Sequence, residues 1–264
     1  MKERDDDKLK QQVREYWNAH PCGTQFTHLV PGSKEFYKEV ERYRYETQPF
    51  MRTVMEFDGF KGKRLLEIGC GLGTDLLQFA RGGAEVTGID LTPASIELVK
   101  KRFAQARVRV KAQVADAERL PFSDNSFDVV YSFGVLHHTP NTQKAIEEVY
   151  RVLKPGGRIV IMLYHRRSMH VQLGMLYAFL ASKVRRTGGI VEDWVRQYDG
   201  EGNPLEKSYA RGEIKHMFQK FSGLKLKTVD PYRRGLPGIL NVFNQKFLAS
   251  WWGFWLVIKA VKEP

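Results

Sequence analysis

A short run of glycines near position 70 carries the clearest chemical signal in this 264-residue chain. Gly69, Gly71 and Gly73 occupy alternate positions after an apolar run, and Glu67 lies two residues before the first of them. Glycine permits a sharp turn and lets a ligand approach the backbone closely. A helix that begins there offers free N–H groups to a carboxylate. Asp90 follows 17 residues beyond Gly73, where its carboxylate could accept hydrogen bonds from both hydroxyls of a ribose.

A dinucleotide-binding loop is the main alternative for these glycines, and its spacing does not fit. The fingerprint G-x-G-x-x-G needs a third glycine at position 74 or 76, where the chain has Thr74 and Leu76. Glu67 would also repel a pyrophosphate, whereas its charge suits the ammonium and sulfonium groups of S-adenosylmethionine. The residues therefore favour S-adenosylmethionine as the cofactor.

Strands and helices alternate around this loop, which predicts a parallel sheet with crossover helices. The predicted strands are Arg64–Ile68, Glu85–Ile89, Val108–Val114, Phe127–Ser132, Arg158–Leu163, Leu224–Val229 and Phe254–Val261. The predicted helices are Thr74–Arg81, Pro93–Ala106 and Thr142–Val152. Thr92 and Pro93 are predicted to cap the second helix, and Lys154–Gly157 to stop the third and turn the chain into a strand.

Four motifs in this region resemble the class I S-adenosylmethionine-dependent methyltransferases, in particular the methyltransferase-11 or ubiquinone-biosynthesis-like group. They cover about residues 60–165 and read LLEIGCGLGTDLLQFA, VTGIDLTPASIELVKKRF, ADAERLPFSDNSFDVVYSFGVLHHTPN and YRVLKPGGRIVIMLY. The resemblance implies a doubly wound α/β fold whose mostly parallel, seven-stranded sheet has the order 3-2-1-4-5-7-6, with strand 7 antiparallel. Residues 1–60 are then a helical N-terminal cap, 61–264 the methyltransferase domain, and 164–222 a substrate lid between strands 5 and 6.

The resemblance also implies a cofactor site for S-adenosylmethionine. The residues that would surround its methionine part are Glu67, Gly69, Cys70, Gly71 and Gly73. Asp90 would bind the ribose, with Leu91 packed beside the adenine. Asp116 and Ala117 would contact the adenine edge, and Phe133 would line the sulfonium region.

Candidate residues for the acceptor side follow the ends of strands 4 and 5, at the ligand edge of such sheets. They are His137 and His138, and Tyr164 and His165. A histidine could take a proton from a hydroxyl or amine, although a base is needed only when the nucleophile carries a proton. Alternatively, a histidine of the first pair caps or braces the adjoining helix. No ligand spacing supports a metal site at these histidines.

The segments on either side of residues 60–165 do not identify the methyl acceptor. Apolar residues recur at helical spacing from Met169 to Leu180, and they either pack on the sheet, receive a lipophilic acceptor or touch a membrane with Trp251 and Trp252. A hydrophobic or aromatic small-molecule acceptor is the first hypothesis. An RNA or protein methyltransferase is the second, motivated by the net charge of +12, and an inactive cofactor-binding scaffold is the third.

Other features constrain these hypotheses. The N/D-P-P-Y/F motif of many base and protein methyltransferases is absent, because the corresponding stretch is Ser132–Val135. No basic run is interleaved with stacking aromatics, so nucleic acid is not the expected partner. The first residues are charged and lack the apolar region of a secretory signal, and the two cysteines lack the spacing of a disulfide framework. Both features predict a cytoplasmic protein. The sequence leaves the oligomeric state open.

Overall fold

The computed structural model describes residues 2–173, 202–230 and 247–263. The helices are α1 (Lys2–Ala19), α2 (Lys34–Thr47), α3 (Met51–Val54), α4 (Thr74–Arg81), α5 (Pro93–Ala106), α6 (Thr142–Val152), α7 (Arg211–Met217) and α8 (Ala249–Trp252). The strands are β1 (Arg64–Ile68), β2 (Glu85–Asp90), β3 (Lys111–Val114), β4 (Phe127–Phe133), β5 (Leu153–His165), β6 (Ser208–Tyr209), β7 (Ser222–Val229) and β8 (Trp255–Val261). Across the described ranges, no helix has the length and apolarity needed to cross a membrane.

The strands form one sheet in the order β3-β2-β1-β4-β5-β8-β7, with the short β6 paired beside β5. Strands β1 to β5 pair in parallel, whereas β8 runs antiparallel to both β5 and β7. Because β7 and β8 are the sixth and seventh predicted strands, the predicted order and the antiparallel strand are confirmed. Strand β6 was not predicted, since two residues are too few to show a period.

Alternate residues of the central strands bury their side chains on opposite faces of the sheet. Leu65, Val129 and Tyr131 belong to one apolar cluster. Leu66 and Val130 belong to a second cluster, with residues of α6 and α7. Both clusters are built from almost fully buried side chains. This arrangement explains why the strand sequences are continuously apolar.

Helix boundaries agree closely with the caps read from the sequence. The Thr92 hydroxyl accepts a hydrogen bond from the N–H of Ser95, and Pro93 opens α5. In contrast, β3 begins at Lys111 rather than at Val108, because the Val108 N–H still bonds to the carbonyl of Phe103 at the end of α5.

The segment Lys154–Gly157 was predicted to turn the chain before β5, and the structure corrects this prediction. Helix α6 ends at Val152, and the chain is already extended from Leu153, which pairs with Phe127 of β4. The Gly156 N–H donates to the carbonyl of Lys262, and the Lys262 N–H donates to that of Gly157. The stretch is therefore part of β5.

Helices α1 and α2 pack beside the carboxyl ends of the strands. Val13 of α1 is buried, as are Phe36, Tyr37 and Val40 of α2. Of the apolar residues expected on one helix face, Leu176, Tyr177 and Leu180 lie outside the described residues. Residues 169–173 are helical, and Val171 among them is buried.

Candidate cofactor and acceptor site

The glycine loop joins the end of β1 to the beginning of α4. Gly69, Gly71 and Gly73 have φ angles of 73°, 49° and 70°, a backbone region that strongly favours glycine. A Cβ on Gly69 would lie 2.2 Å from the Val135 side chain. A Cβ on Gly71 would meet no atom within 4 Å and would project into open space. Gly71 therefore leaves room for a ligand against the backbone.

Asp90 closes this loop from the neighbouring strand. One carboxylate oxygen accepts the N–H of Gly71 at 3.0 Å, and the other accepts the N–H and hydroxyl of Thr92 at 3.0 and 2.8 Å. Burial raises the pKa of Asp90, while the hydrogen bonds from Thr92 and Gly71 oppose the rise. The hydrogen bonds fix the carboxylate at the carboxyl end of β2, and the oxygen that accepts only the Gly71 N–H retains acceptor capacity for a ribose hydroxyl.

Glu67 points a buried carboxylate toward the same space. Its side chain is 4% exposed, and its Oε2 has no hydrogen-bond partner in the part of the chain that the structure describes. Burial raises the pKa of Glu67 well above its ordinary value, and the nearby Asp75 and Asp90 add to the rise, whereas Arg44 opposes it. A buried carboxylate that lines the cavity and has an orphaned oxygen is suited to a cationic ligand group.

These groups line a cavity of about 860 Å³ at the carboxyl ends of the strands. Nine of the ten cofactor residues expected from the sequence lie in its wall: Glu67, Gly69, Cys70, Gly71, Asp90, Leu91, Asp116, Ala117 and Phe133. Gly73 is the tenth. It does not line the cavity, but its N–H donates to the carbonyl of Cys70 and stabilises the turn. The cavity wall also includes Tyr164 and His138, but neither His137 nor His165.

Helix α1 covers the side of the cavity next to Asp116. Lys10, Val13 and Trp17 lie at i, i+3 and i+7, so one face of the helix lines the cavity. Lys10 Nζ donates to Asp116 at 2.6 Å and to Glu118 at 2.9 Å, which joins α1 to the loop after β3. Lys10 could not be identified from the sequence, because both ion pairs link residues more than a hundred positions apart.

A buried hydrogen-bond network that the sequence did not indicate lies next to the glycine loop. Asp75 is 3% exposed and accepts hydrogen bonds from Arg44, Tyr45 and Tyr131. The Arg44 guanidinium makes two bonds to this carboxylate and lies 4.9 Å from the ring centroid of Phe133. This network connects α2 and β4 to the first turn of α4, and Arg44 and Asp75 both line the cavity.

The other half of the cavity is aromatic. Phe133 and Trp255 meet edge to face at 5.4 Å, and Tyr164 and Phe254 stack at 4.5 Å. His170 lies 5.0 Å from the Phe254 ring, and Asp230 accepts the N–H of Phe254 at 3.1 Å. His170 and Asp230 line the cavity as well, although no sequence motif indicated a site role for either residue. Planar apolar groups pack favourably against such walls.

His138 lies where the aromatic half meets α1. Its Nδ1 is 2.7 Å from the carbonyl oxygen of Leu205, and its ring contacts Trp17 at 5.4 Å. A carbonyl can only accept, so Nδ1 carries the proton in this bond. In the neutral ring Nε2 is then the unprotonated nitrogen, which is the form required of a general base.

The other two candidate histidines are buried away from the cavity. His137 is fully buried between the rings of His138 and Tyr164, and neither of its nitrogens has a hydrogen-bond partner among the described residues. Burial holds its pKa well below the ordinary value. His165 Nδ1 lies 3.1 Å from the carbonyl oxygen of Gly253, and burial lowers the pKa of this ring too. Their contacts are those of packing residues.

Metal-binding side chains do not cluster in the described ranges, where no group of three or more histidine, cysteine or acidic residues could hold an ion. His20 Nδ1 lies 3.0 Å from the Tyr16 carbonyl at the end of α1. Cys22 is exposed at the cavity wall, and Cys70 is buried in the glycine loop.

Known proteins resemble this chain in both sequence and fold. Residues 66–161 match the family model described as a methyltransferase domain. A sterol 4-C-methyltransferase of Caenorhabditis elegans is 40% identical over 98 residues, covering 36% of this chain and 29% of that protein. A ubiquinone biosynthesis O-methyltransferase of Alkalilimnicola ehrlichii is 35% identical over 109 residues, covering 41% and 44%. The chain thus spans less than half the length of these relatives.

The fold match extends further than the sequence match. The solved structure of Haemonchus contortus phosphoethanolamine N-methyltransferase 2, in complex with phosphomonomethylethanolamine and S-adenosylhomocysteine, superposes with a TM-score of 0.61 at 19% identity. The superposition covers 96% of this chain and 60% of that one.

The strand order, the glycine loop and the acidic residues at the first two strand ends together define the S-adenosylmethionine-dependent class of methyltransferase. Residues 66–161 carry the methyltransferase domain of the methyltransferase-11 group, whose cofactor is S-adenosylmethionine.

Proposed function

We propose that this protein transfers a methyl group from S-adenosylmethionine to a small, planar, apolar acceptor such as a phenol or quinol. The single observation that carries the proposal is the division of one cavity into two chemically distinct halves. Acidic and glycine residues line one half, and the rings of Phe133, Tyr164, Phe254 and Trp255 line the other. Relatives named for sterol, ubiquinone-biosynthesis and tocopherol methylation support an acceptor of this class.

The cofactor half fits its ligand group by group. Glu67 Oε2 would accept from the ammonium of the methionine part, and Gly69, Cys70 and Gly71 would follow its backbone. Asp90 would accept from the ribose hydroxyls, with Leu91, Asp116 and Ala117 around the adenine. Gly73 would act indirectly, through the shape of the turn. When bound, S-adenosylmethionine supplies an electrophilic methyl group on a sulfonium.

The chain's own contribution to the reaction is alignment, exclusion of water and acceptance of a proton. Phe133 and Trp255 would hold the acceptor ring at the border of the two halves. The cover formed by Trp17 and Val13 would keep water from the reacting atoms. His138 would accept the proton of a hydroxyl nucleophile on Nε2, with Nδ1 held by the Leu205 carbonyl. Tyr164 would orient the acceptor, while His137 and His165 would brace the wall behind it.

The alternative acceptors receive less support from these contacts. An RNA or peptide substrate needs an extended approach to the methyl group, whereas in the described ranges α1 and the aromatic residues line opposite parts of one cavity. The surfaces of residues 174–201, within the expected lid, lie outside the described residues. We propose that the lid and the N-terminal cap complete the acceptor half.

The test is a methyl-transfer assay that follows S-adenosylhomocysteine release with a panel of phenols, quinols, sterols, peptides and RNA. We expect turnover with planar phenols or quinols, and a drop of about 100-fold in His138→Gln with unchanged cofactor affinity. His28→Gln, at an exposed position, is the matched control and should retain full activity. Turnover with RNA or peptides alone would contradict the proposal.

A further inference from the structure

A second groove lies apart from the cofactor cavity, between α2 and the helices α4 and α5. Its volume is about 520 Å³, within the range of small-molecule sites. Tyr37, Tyr45 and Leu77 line its floor, and charged side chains of α2, α3, α4 and α5 line the remaining wall. Each of these residues is described by the structure, so the groove is complete within the described part of the chain.

The wall of this groove is strongly cationic. It contains six positively charged side chains and two carboxylates, a difference of four positive charges. The six are Lys34, Lys38, Arg42, Arg52, Arg81 and Arg102. Arg42 pairs with Glu39 and Glu46, whereas Arg81 and Arg102 share Glu41. Among the described residues, Lys34, Lys38 and Arg52 have no carboxylate within 4.0 Å.

Arg102 is a buried cation on the wall of this groove. It is 2% exposed, donates to Glu41 Oε2 at 2.5 Å and to Thr74 Oγ1 at 3.3 Å, and lies over the Tyr37 ring at 5.0 Å. Its Nε is buried and has no hydrogen-bond partner in the described part of the chain. Since a buried N–H donor without a partner is costly, such a group indicates a missing acceptor.

We propose that this groove binds a small phosphate-bearing anion with at least two negative charges. Arginine forks and lysine ammonium groups recognise phosphate oxygens, and the three exposed cations without a carboxylate can donate to an anionic ligand of this kind. Arg102 lies over the ring of Tyr37 and Arg52 over that of Tyr45. Because these ring faces are already covered, charge rather than stacking would select the ligand. The site is separate from the methyl-transfer cavity, so it does not depend on the proposed function.

The test is calorimetric titration of the full chain with pyrophosphate, at about 50 mM and about 300 mM salt. We expect saturable binding that weakens with salt, and at least a tenfold loss in the double variant Lys38→Glu/Arg52→Glu. Lys144→Glu/Lys220→Glu is the matched control: it makes the same charge change at exposed lysines of α6 and the turn after α7, on the opposite sheet face. The control should change the affinity less than twofold.

Equal losses in the two double variants would show diffuse attraction to a basic surface and would overturn the proposal. Absence of pyrophosphate binding to the intact protein would overturn it as well. Vesicles with phosphatidate headgroups and a short single-stranded RNA form two further arms. Binding to either of these without binding to pyrophosphate would contradict a small-anion site. Circular dichroism of each variant verifies that a loss of binding is not a loss of fold.

Discussion

At the scale of single residues, the cofactor site contains groups that work against the stability of the free protein. Glu67 is a buried carboxylate with an oxygen left unpaired among the described residues, and its pKa is raised by burial. Such a group costs stability while the site is empty and contributes affinity when a cation arrives. Burial of His137 has a similar cost, because the charged form of its ring is excluded.

The Glu67→Gln variant separates these two effects. The folded carboxyl has a raised pKa, so the unfolded state loses its proton first and stability falls as pH rises above about 4.5. At about pH 7.5 we expect the variant without cofactor to unfold at higher urea concentration. Its affinity for S-adenosylmethionine should fall about 10- to 100-fold, because a charged hydrogen bond is lost. Glu85→Gln, at an exposed carboxylate, should change neither quantity.

His137 makes the protein sensitive to mild acid. Because its folded pKa lies below the ordinary value, the unfolded state takes up the proton first, and stability falls as pH drops below about 6.5. We expect His137→Leu to reduce the loss of unfolding free energy between about pH 7.5 and about pH 5.5 by about 1 kcal/mol. Urea titrations at the two pH values measure it. An identical pH slope in His137→Leu and wild type would show that the ring is not responsible.

At the scale of elements, α1 contributes to the cofactor site although its sequence is almost entirely polar. Val13 is its one side chain among residues 5–19 that is almost fully buried. The helix is fixed by contacts at both ends of one face, through Lys10 to Asp116 and Glu118, and through Trp17 to His138. These contacts connect the loop after β3 with the segment after β4.

Removal of the Lys10 ammonium should therefore weaken both stability and cofactor binding. Glu118 is buried, and in Lys10→Met the N–H of Asn141 would be the one remaining hydrogen-bond donor to its side chain among the described residues. We expect a loss of about 1–2 kcal/mol in unfolding free energy and a two- to fivefold weaker affinity for S-adenosylmethionine, about as for partly exposed ion pairs. Lys8→Met, at an exposed position of the same helix, is the control. Equal effects of the two variants would mean that α1 is not held by Lys10.

At the scale of the whole molecule, the helix bounds and the strand order could be predicted well from the sequence. The side-chain contacts between residues far apart in the chain could not. The bounds of α4, α5 and α6 follow from local signals such as the Thr92 cap, and the strand order follows from the family pattern. Arg44, Asp75 and Lys10 could not be found this way, because each acts through a contact set by the tertiary fold. Asp230 also joins the site only because β7 ends beside β8.

The folded molecule therefore places one cofactor half and one aromatic half in a single cavity, with Asp90 at the carboxyl end of β2. Asp90 is the most informative residue to substitute, since its carboxylate binds the N–H of Gly71 in the glycine loop and is also the proposed ligand of the ribose. An Asn at this position keeps one acceptor oxygen, whereas an Ala keeps none. The two variants provide a graded test of the site.

The most direct measurement is calorimetric titration of the purified protein with S-adenosylmethionine and, separately, with NAD, repeated with Asp90→Asn and Asp90→Ala. We expect saturable binding of S-adenosylmethionine, no binding of NAD, and affinity losses of about 10-fold in Asp90→Asn and about 100-fold or more in Asp90→Ala. Binding of NAD in preference to S-adenosylmethionine, or S-adenosylmethionine affinity that is unchanged in Asp90→Ala, would contradict this expectation.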